Sequence, residues 1–148
     1  MEETSALRAL GSVLRDLNRD LVRAGRRIAG VAPLPETETD IVRLVVRRPG
    51  VSPGQIAAEL RMQPSNVSAA LRHLTAAGLV TRESDPMDRR ATRVRPTPQA
   101  VENARLMEEA RAGLLHEALN DLAAEHQETL LHAIPSLRAL ENALRDRV

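Results

Sequence analysis

Side chains that could pair with the edges of nucleotide bases cluster in one short stretch of the sequence, residues 64–77. Val67, Leu71 and Leu74 recur there at helical spacing, which predicts a helix with one apolar face. The residues opposite or beside that face are small, polar or basic: Ser65, Asn66, Ser68, Ala69, Arg72 and His73. Such a surface lets a helix backbone approach base edges in the major groove, where Asn suits adenine and Arg suits guanine or a phosphate. Helix capping by Ser65 and Asn66 and an ordinary solvated Arg72 explain this helix about equally well.

A second group of chemically capable residues follows in the loop Ser84-Asp85-Pro86-Met87-Asp88-Arg89-Arg90-Ala91. Strand-like segments, 79–83 and 92–95, flank this loop and predict a projecting hairpin. Arg89 and Arg90 at its tip suit a narrow minor groove, where the negative potential is strong. Asp88 lies two residues before Arg90 and can orient that guanidinium by a forked salt bridge. The alternative is a solvated charged turn, but hairpin and helix together favour DNA binding.

The elements around these residues follow a recognisable order. A helix over Ser52–Arg61 begins with a capping box, Ser52-Pro53-Gly54-Gln55, and the turn Met62-Gln63 separates it from the helix 64–77. Gly78 supplies a left-handed helix end before the first strand. Two helices joined by a tight turn and followed by a basic hairpin are typical of a winged helix-turn-helix.

Long amphipathic helices are predicted on both sides of this unit. Residues 4–29 carry an apolar stripe, and a second helix covers Pro35 to Arg48. Thr97 and Pro98 begin a helix reaching about Ala123, and 125–147 continues helically with a kink near Pro135. The stripe of the first helix could pack on the chain's own helices or form a seam with a second chain, and we favour a mixture of both. The predicted fold is mostly α with a small β-hairpin.

Composition places the chain in one globular domain, residues 1–148. It has 148 residues, 43% of them hydrophobic, without Phe, Tyr or Trp, and its 21 basic residues are all Arg. Net charge is only +1, but the charge is unevenly distributed. Residues 61–95 hold seven arginines against three acids, whereas 97–148 hold five against nine. The positive charge therefore falls on the predicted helix-turn-helix and hairpin.

Several classes of function are disfavoured by what the sequence lacks. Cys is absent, which excludes disulfides and thiolate zinc sites. The four histidines form no i, i+4 pair. His116, beside Glu117 and Asp121, is the best candidate for a metal ligand, but this spacing is weak evidence, so no metal or other cofactor is expected. There is no Gly-rich phosphate loop and no nucleophile elbow, so a non-enzymatic protein is expected. With an acidic amino terminus and no long apolar run, we expect a cytoplasmic protein without membrane association.

Over nearly all of its length the chain resembles the MarR family of winged-helix transcription regulators. The most specific features are Ala77-Gly78-Leu79-Val80 and, at wing distance, Asp85-Pro86-Met87-Asp88-Arg89-Arg90. The resemblance implies a head at 35–96 between dimerisation helices at 1–30 and 97–148. It further implies a homodimer that binds a palindromic double-stranded DNA operator. Each chain would contact it through the helix 64–77, the recognition helix, and through Arg90. The dimerisation contacts would include Leu7, Leu10, Leu14, Leu17, Leu137, Leu140 and Leu144.

The resemblance also implies a cleft between head and dimerisation helices where a small-molecule effector, often anionic or aromatic, loosens DNA binding. Two departures bear on this. Pro96-Thr97-Pro98 stands where the family usually has Leu-Thr and then Gly, and the aromatics common around the cleft are missing. A repressor that is constitutive, or that answers to an aliphatic ligand, stays open. A winged helix that binds an acidic protein and a non-specific nucleoid-type DNA binder are the alternatives.

Overall fold

The computed structural model describes residues 2–84 and 91–147, and within them the chain forms seven helices and one antiparallel hairpin. The predicted fold, mostly α with a small hairpin, is confirmed. None of the helices in the described ranges combines the length and apolarity needed to cross a membrane. In chain order the elements are α1 (Glu2–Ala29), α2 (Glu36–Arg47), α3 (Pro53–Glu59), α4 (Pro64–Ala76), β1 (Val80–Ser84), β2 (Thr92–Pro96), α5 (Pro98–Asn120), α6 (Ala124–His132) and α7 (Ile134–Arg145).

The buried core of the described chain lies entirely between residues 41 and 100. We call residues 35–96 the head, and the first turn of α5 closes its core from outside that range. The β-branched run 41–46 is helical, as predicted, and buries Ile41, Leu44 and Val45. The core members are all aliphatic: Ile41, Leu44, Val45, Val51, Ile56, Ala57, Val67, Ala70, Leu71, Leu74, Leu79, Val80, Val94 and Ala100.

Local signals at the boundaries of the helices fix the path of the chain through the head. The predicted capping box is present, because the Ser52 hydroxyl accepts from the Gln55 amide at 3.2 Å and the Gln55 side chain accepts from the Ser52 amide at 2.8 Å. Gly78 adopts a φ of +69° after α4, a conformation that glycine tolerates without steric cost. Thr97 then caps α5 and donates from its hydroxyl to the Gly78 carbonyl at 2.7 Å.

The hairpin pairs β1 with β2 in antiparallel register, with Arg82 opposite Val94. A short bridge from Val51 to Val94 attaches the hairpin to the segment before α3. Its hydrogen bonds run from the Gly50 amide to the Val94 carbonyl at 2.8 Å and from the Val94 amide to the Val51 carbonyl at 2.9 Å. The base of the hairpin is therefore joined to the helix-turn-helix through backbone as well as through the core.

The helices that flank the head, α1, α5, α6 and α7, differ from it in burial. α1 packs mainly against α5 through its carboxyl-terminal half, whereas α6 and α7 contain no buried residue. The predicted kink near Pro135 is a complete break, with Ala133 between α6 and α7. Pro135 lies in the first turn of α7, where its missing amide hydrogen breaks no helical bond. The sequence predicts two helical segments after the hairpin, and the break makes them three helices, α5, α6 and α7.

Candidate functional site

The outer face of α4 carries the predicted base-contacting residues in one exposed surface. Val67, Leu71 and Leu74 are fully buried beneath it. Ser65, Asn66, Ser68, Arg72 and His73 are exposed, and Ala69 is half-buried. Because the three buried residues anchor α4 on the core of the head, the polar face is held by a packed helix and not by a loop.

Most of these polar side chains have no hydrogen-bonding or ionic partner among the described residues. α4 begins after Gln63 without a side-chain capping bond, so the alternative that Ser65 and Asn66 serve as helix caps finds no support. Within the part of the chain that the structure describes, Ser65, Asn66, Ser68 and Arg72 form no side-chain hydrogen bond or ion pair. Their donors and acceptors are available to a bound molecule.

His73 is the exception on this face, because it is linked to α2. Its Nδ1 lies 3.1 Å from Oε1 of Glu38. The Glu38 side chain is only 10% exposed, whereas that of His73 is 76% exposed. A nearly buried carboxylate needs a hydrogen-bond donor, and Nδ1–H of His73 provides one. This contact leaves Nε2 of His73 as the ring nitrogen available to another partner.

The wing tip, residues 85–90, lies outside the described residues, and with it the predictions for Asp88, Arg89 and Arg90. The two strands that carry it are described. Arg95 lies 3.0 Å from Glu83 across the hairpin, and Nη1 of Arg93 donates to the Gly50 carbonyl at 3.0 Å. Both arginines therefore contact other parts of the chain at the base of the wing.

The leucines predicted to form dimer contacts are all exposed in the single chain. Leu7 is 61% exposed and Leu140 is 39% exposed, with the other five between these values. In α1 the residues from Leu21 onward are instead half-buried or buried in several places. The carboxyl-terminal half of α1 packs on the chain's own α5, as one part of the predicted mixture requires, and its amino-terminal half presents leucines outward. The seam with a second chain stays a prediction.

A cleft of about 660 Å³ lies between the head and its flanking helices, lined by α1, α2, the connection between them and Arg111 of α5. This volume is within the range of small-molecule sites. No pattern in the sequence predicts that Arg43 and Arg111 meet at this cleft, because each only interrupts an apolar pattern and their convergence depends on how the helices pack. Elsewhere, His116 of α5 contacts Asn120 at 3.2 Å, and the described residues hold no cluster of three metal-ligating side chains.

The helix pair α3–α4 followed by a hairpin wing defines the chain as a winged-helix protein. Comparison with known proteins narrows this class further. Residues 32–91 match the model of the MarR family. The fold is similar to that of a putative transcriptional regulator protein from Pseudomonas aeruginosa PA01, with 28% identity, 95% of this chain and 96% of that chain covered, and a TM-score of 0.80. The match over residues 32–91 and the similar structures agree with the resemblance to the MarR family inferred from the sequence, which is confirmed as a resemblance.

More distant structures share the fold over the flanking helices as well. RV1404 from Mycobacterium tuberculosis has 17% identity over 90% of both chains, with a TM-score of 0.77. FabT from Streptococcus pneumoniae, in complex with DNA, has 18% identity over 94% of this chain and 99% of that chain, with a TM-score of 0.71. The MarR family is a family of transcriptional regulators, not of enzymes.

Proposed function

We propose that this chain is a homodimeric transcriptional repressor that binds a palindromic operator through α4 in the major groove and the wing in the minor groove. The observation that carries the proposal is the exposed face of α4, where the side chains of Ser65, Asn66, Ser68 and Arg72 form no hydrogen bond or ion pair within the described chain. A polar helix face held on a rigid aliphatic core can present base-reading groups at low entropic cost. FabT, which shares the fold, has been solved bound to DNA.

The wing completes this interface in the proposal. Arg89 and Arg90 would lie in the minor groove, with Asp88 orienting Arg90, in the loop that connects β1 to β2. His73 would contribute Nε2 near the phosphates, because Nδ1 is held by Glu38. Ala69 would let the helix approach the bases closely.

Dimerisation is proposed from the exposed leucines of α1 and α7. Seven large apolar side chains at helical spacing on two elements form more apolar surface than single scattered leucines would. A second copy of the chain would cover them, and two heads related by a two-fold axis would then meet the two halves of a palindrome.

The operator is found by selecting bound fragments from the encoding genome, and the interface is then tested by fluorescence anisotropy on the selected duplex. Arg72→Ala should weaken binding by about 1–3 kcal/mol, and Arg90→Ala by a similar amount. Arg147→Ala, which removes a charge outside the head, should leave the affinity unchanged. Equal binding by all three variants would contradict the assigned interface.

The same experiment separates the other functions. A nucleoid-type binder would bind random duplex nearly as well as selected duplex, whereas a regulator should prefer its site by about a thousandfold or more. A winged helix that binds proteins would select no fragment at all. Release by a small molecule is a further part of the proposal, supported by the cleft that contacts head and flanking helices together.

A further inference from the structure

The cleft between the head and the flanking helices is strongly basic. Its lining includes six arginines against two carboxylates, Glu36 and Asp40. The remaining lining side chains are small aliphatic or polar groups, and the chain has no aromatic residue that could stack on a ring. The arginines are Arg19, Arg23, Arg26, Arg27, Arg43 and Arg111.

Arg111 is partly buried in this cleft and forms no hydrogen bond or ion pair within the described residues. Its Nε atom is buried and makes no hydrogen bond within the described residues. The side chain lies against Gly25 of α1, where an added Cβ would be only 3.3 Å from Cγ of Arg111. The glycine therefore makes room for an arginine whose Nε is left unsatisfied, and a buried donor without an acceptor is costly.

Like charges surround Arg111. Burial lowers the pKa of its guanidinium, and the charges of Arg43 and Arg26 lower that pKa further, whereas the carboxylate of Glu108 opposes the shift. Arg26 lies on α1, and its Nη2 donates to the Leu34 carbonyl at 3.3 Å and to the Thr39 hydroxyl at 3.2 Å. Arg43 of α2 is held by Asp40 at 3.2 Å. Three guanidinium groups from three helices thus face one cavity, and within the described residues only Arg43 of the three forms an ion pair.

We propose that this cleft binds a small oxyanion that carries two or more negative charges, of the phosphate monoester or dicarboxylate class. Such an ion would neutralise Arg26, Arg43 and Arg111 together and would accept a hydrogen bond from Nε of Arg111. A single carboxylate on an aromatic ring fits less well, because it offers one charge to three cations and the lining offers no ring to stack on. The inference rests on the proposed function in that it names the ligand class of the proposed effector site.

Isothermal titration calorimetry on the full chain tests this directly, at pH 8 and constant ionic strength. The probes are inorganic phosphate and succinate as divalent anions, with acetate and benzoate as monovalent ones. Phosphate, succinate or both should bind about tenfold or more tightly than acetate and benzoate. Preference between the two divalent probes assigns the phosphate or the dicarboxylate class. Benzoate binding as tightly as the better divalent probe, or no binding by either divalent probe, would overturn the proposal.

Variants locate the site. Arg111→Gln should weaken binding of the better probe about tenfold or more. Arg15→Gln, which removes an exposed charge of α1 outside the cleft, should leave it unchanged. If Arg111→Gln does not fold, as judged by far-ultraviolet circular dichroism, the exposed Arg43→Gln takes its place with the same expected loss. Unchanged binding in the folded variant would contradict the site.

Calorimetry without DNA keeps this proposal separate from the proposed regulator. A chain that binds the divalent probe but selects no DNA fragment would retain the anion site and lose the regulatory function. A chain that binds its operator but no divalent anion would retain the regulator and lose this ligand class.

Discussion

The head of this chain buries leucines that have the same helical spacing as the exposed leucines of the flanking helices. In the head, Leu44, Leu71 and Leu74 are at most 1% exposed and pack in one aliphatic core. On α1 and α7, leucines of the same kind and helical spacing stay exposed, from Leu7 to Leu144. Similar sequence patterns therefore have different outcomes, because an apolar stripe specifies that a face must be covered and not which chain covers it.

This difference separates the free energy of folding, which depends on the head, from the free energy of association, which would depend on α1 and α7. The head buries its apolar surface on folding, so its stability belongs to the single chain. The leucines of α1 and α7 would lose contact with water only when two chains associate, so their contribution depends on protein concentration. Substitutions in the two regions should respond differently to dilution.

The largest expected effect is in the core of the head. Leu71→Ala leaves a cavity beneath the exposed face of α4 and should lower the free energy of unfolding by about 2–5 kcal/mol. Urea denaturation followed by circular dichroism measures it. The matched control, Leu137→Ala on α7, should change the unfolding of a dilute sample far less. An equal loss in both variants at low concentration would contradict the division between the two regions.

Association of the chains should be next in size. Leu140→Glu places a carboxylate in the proposed seam and should raise the dimer dissociation constant by about a hundredfold or more, equivalent to about 2.7 kcal/mol. Sedimentation equilibrium with interference optics suits a chain that lacks aromatic residues. Leu140→Met, which keeps an apolar side chain of similar volume, should remain associated. A wild-type chain that is monomeric at micromolar concentration would refute the seam.

A smaller effect is expected at the capping box of α3. Ser52→Ala removes the side-chain acceptor of the Gln55 amide and should cost about 1 kcal/mol of stability. Ser65→Ala on α4 is the control, since that hydroxyl has no partner within the described chain and its loss should change unfolding by no more than a few tenths of a kcal/mol. Comparable losses in both would show that the Ser52 contact contributes little.

The smallest effect concerns the contact between α2 and α4. A double-mutant cycle of Glu38→Gln and His73→Ala should give a coupling energy of about 1 kcal/mol or less, because the His73 side chain is 76% exposed although its partner is nearly buried. Unfolding by urea measures all four proteins of the cycle. A coupling of several kcal/mol would mean that this contact, and not the core, positions the recognition helix.

Local signals explain why so much of the head could be predicted from the sequence. Ser52, Gly78 and Thr97 act on neighbouring backbone, and the spacing of Val67, Leu71 and Leu74 defines the buried face of α4 within one helix. α5 was predicted to reach about Ala123 but ends at Asn120, and α6 starts after Ala123 without a side-chain cap. No residue type marked that boundary.

The contacts that could not be predicted join residues far apart in the chain. Glu38 and His73 are separated by 35 positions, and Gly25 meets Arg111 across the α1–α5 packing. In the sequence Glu38 is one of several acids in the first turn of α2, and Arg111 is one more cation on an amphipathic helix. Their partners follow from the angles at which helices pack, which periodicity does not encode.

We expect two chains to join through their flanking helices and to place two heads on one DNA site. Sedimentation velocity of the chain mixed with a labelled duplex carrying a selected genomic site tests it most directly. We expect a complex of two chains per duplex. Leu140→Glu should weaken this complex because the chains no longer associate, whereas Arg72→Ala should weaken it while the chains stay associated. A complex of one chain per duplex, or no complex with any selected fragment in dilute buffer, would contradict it.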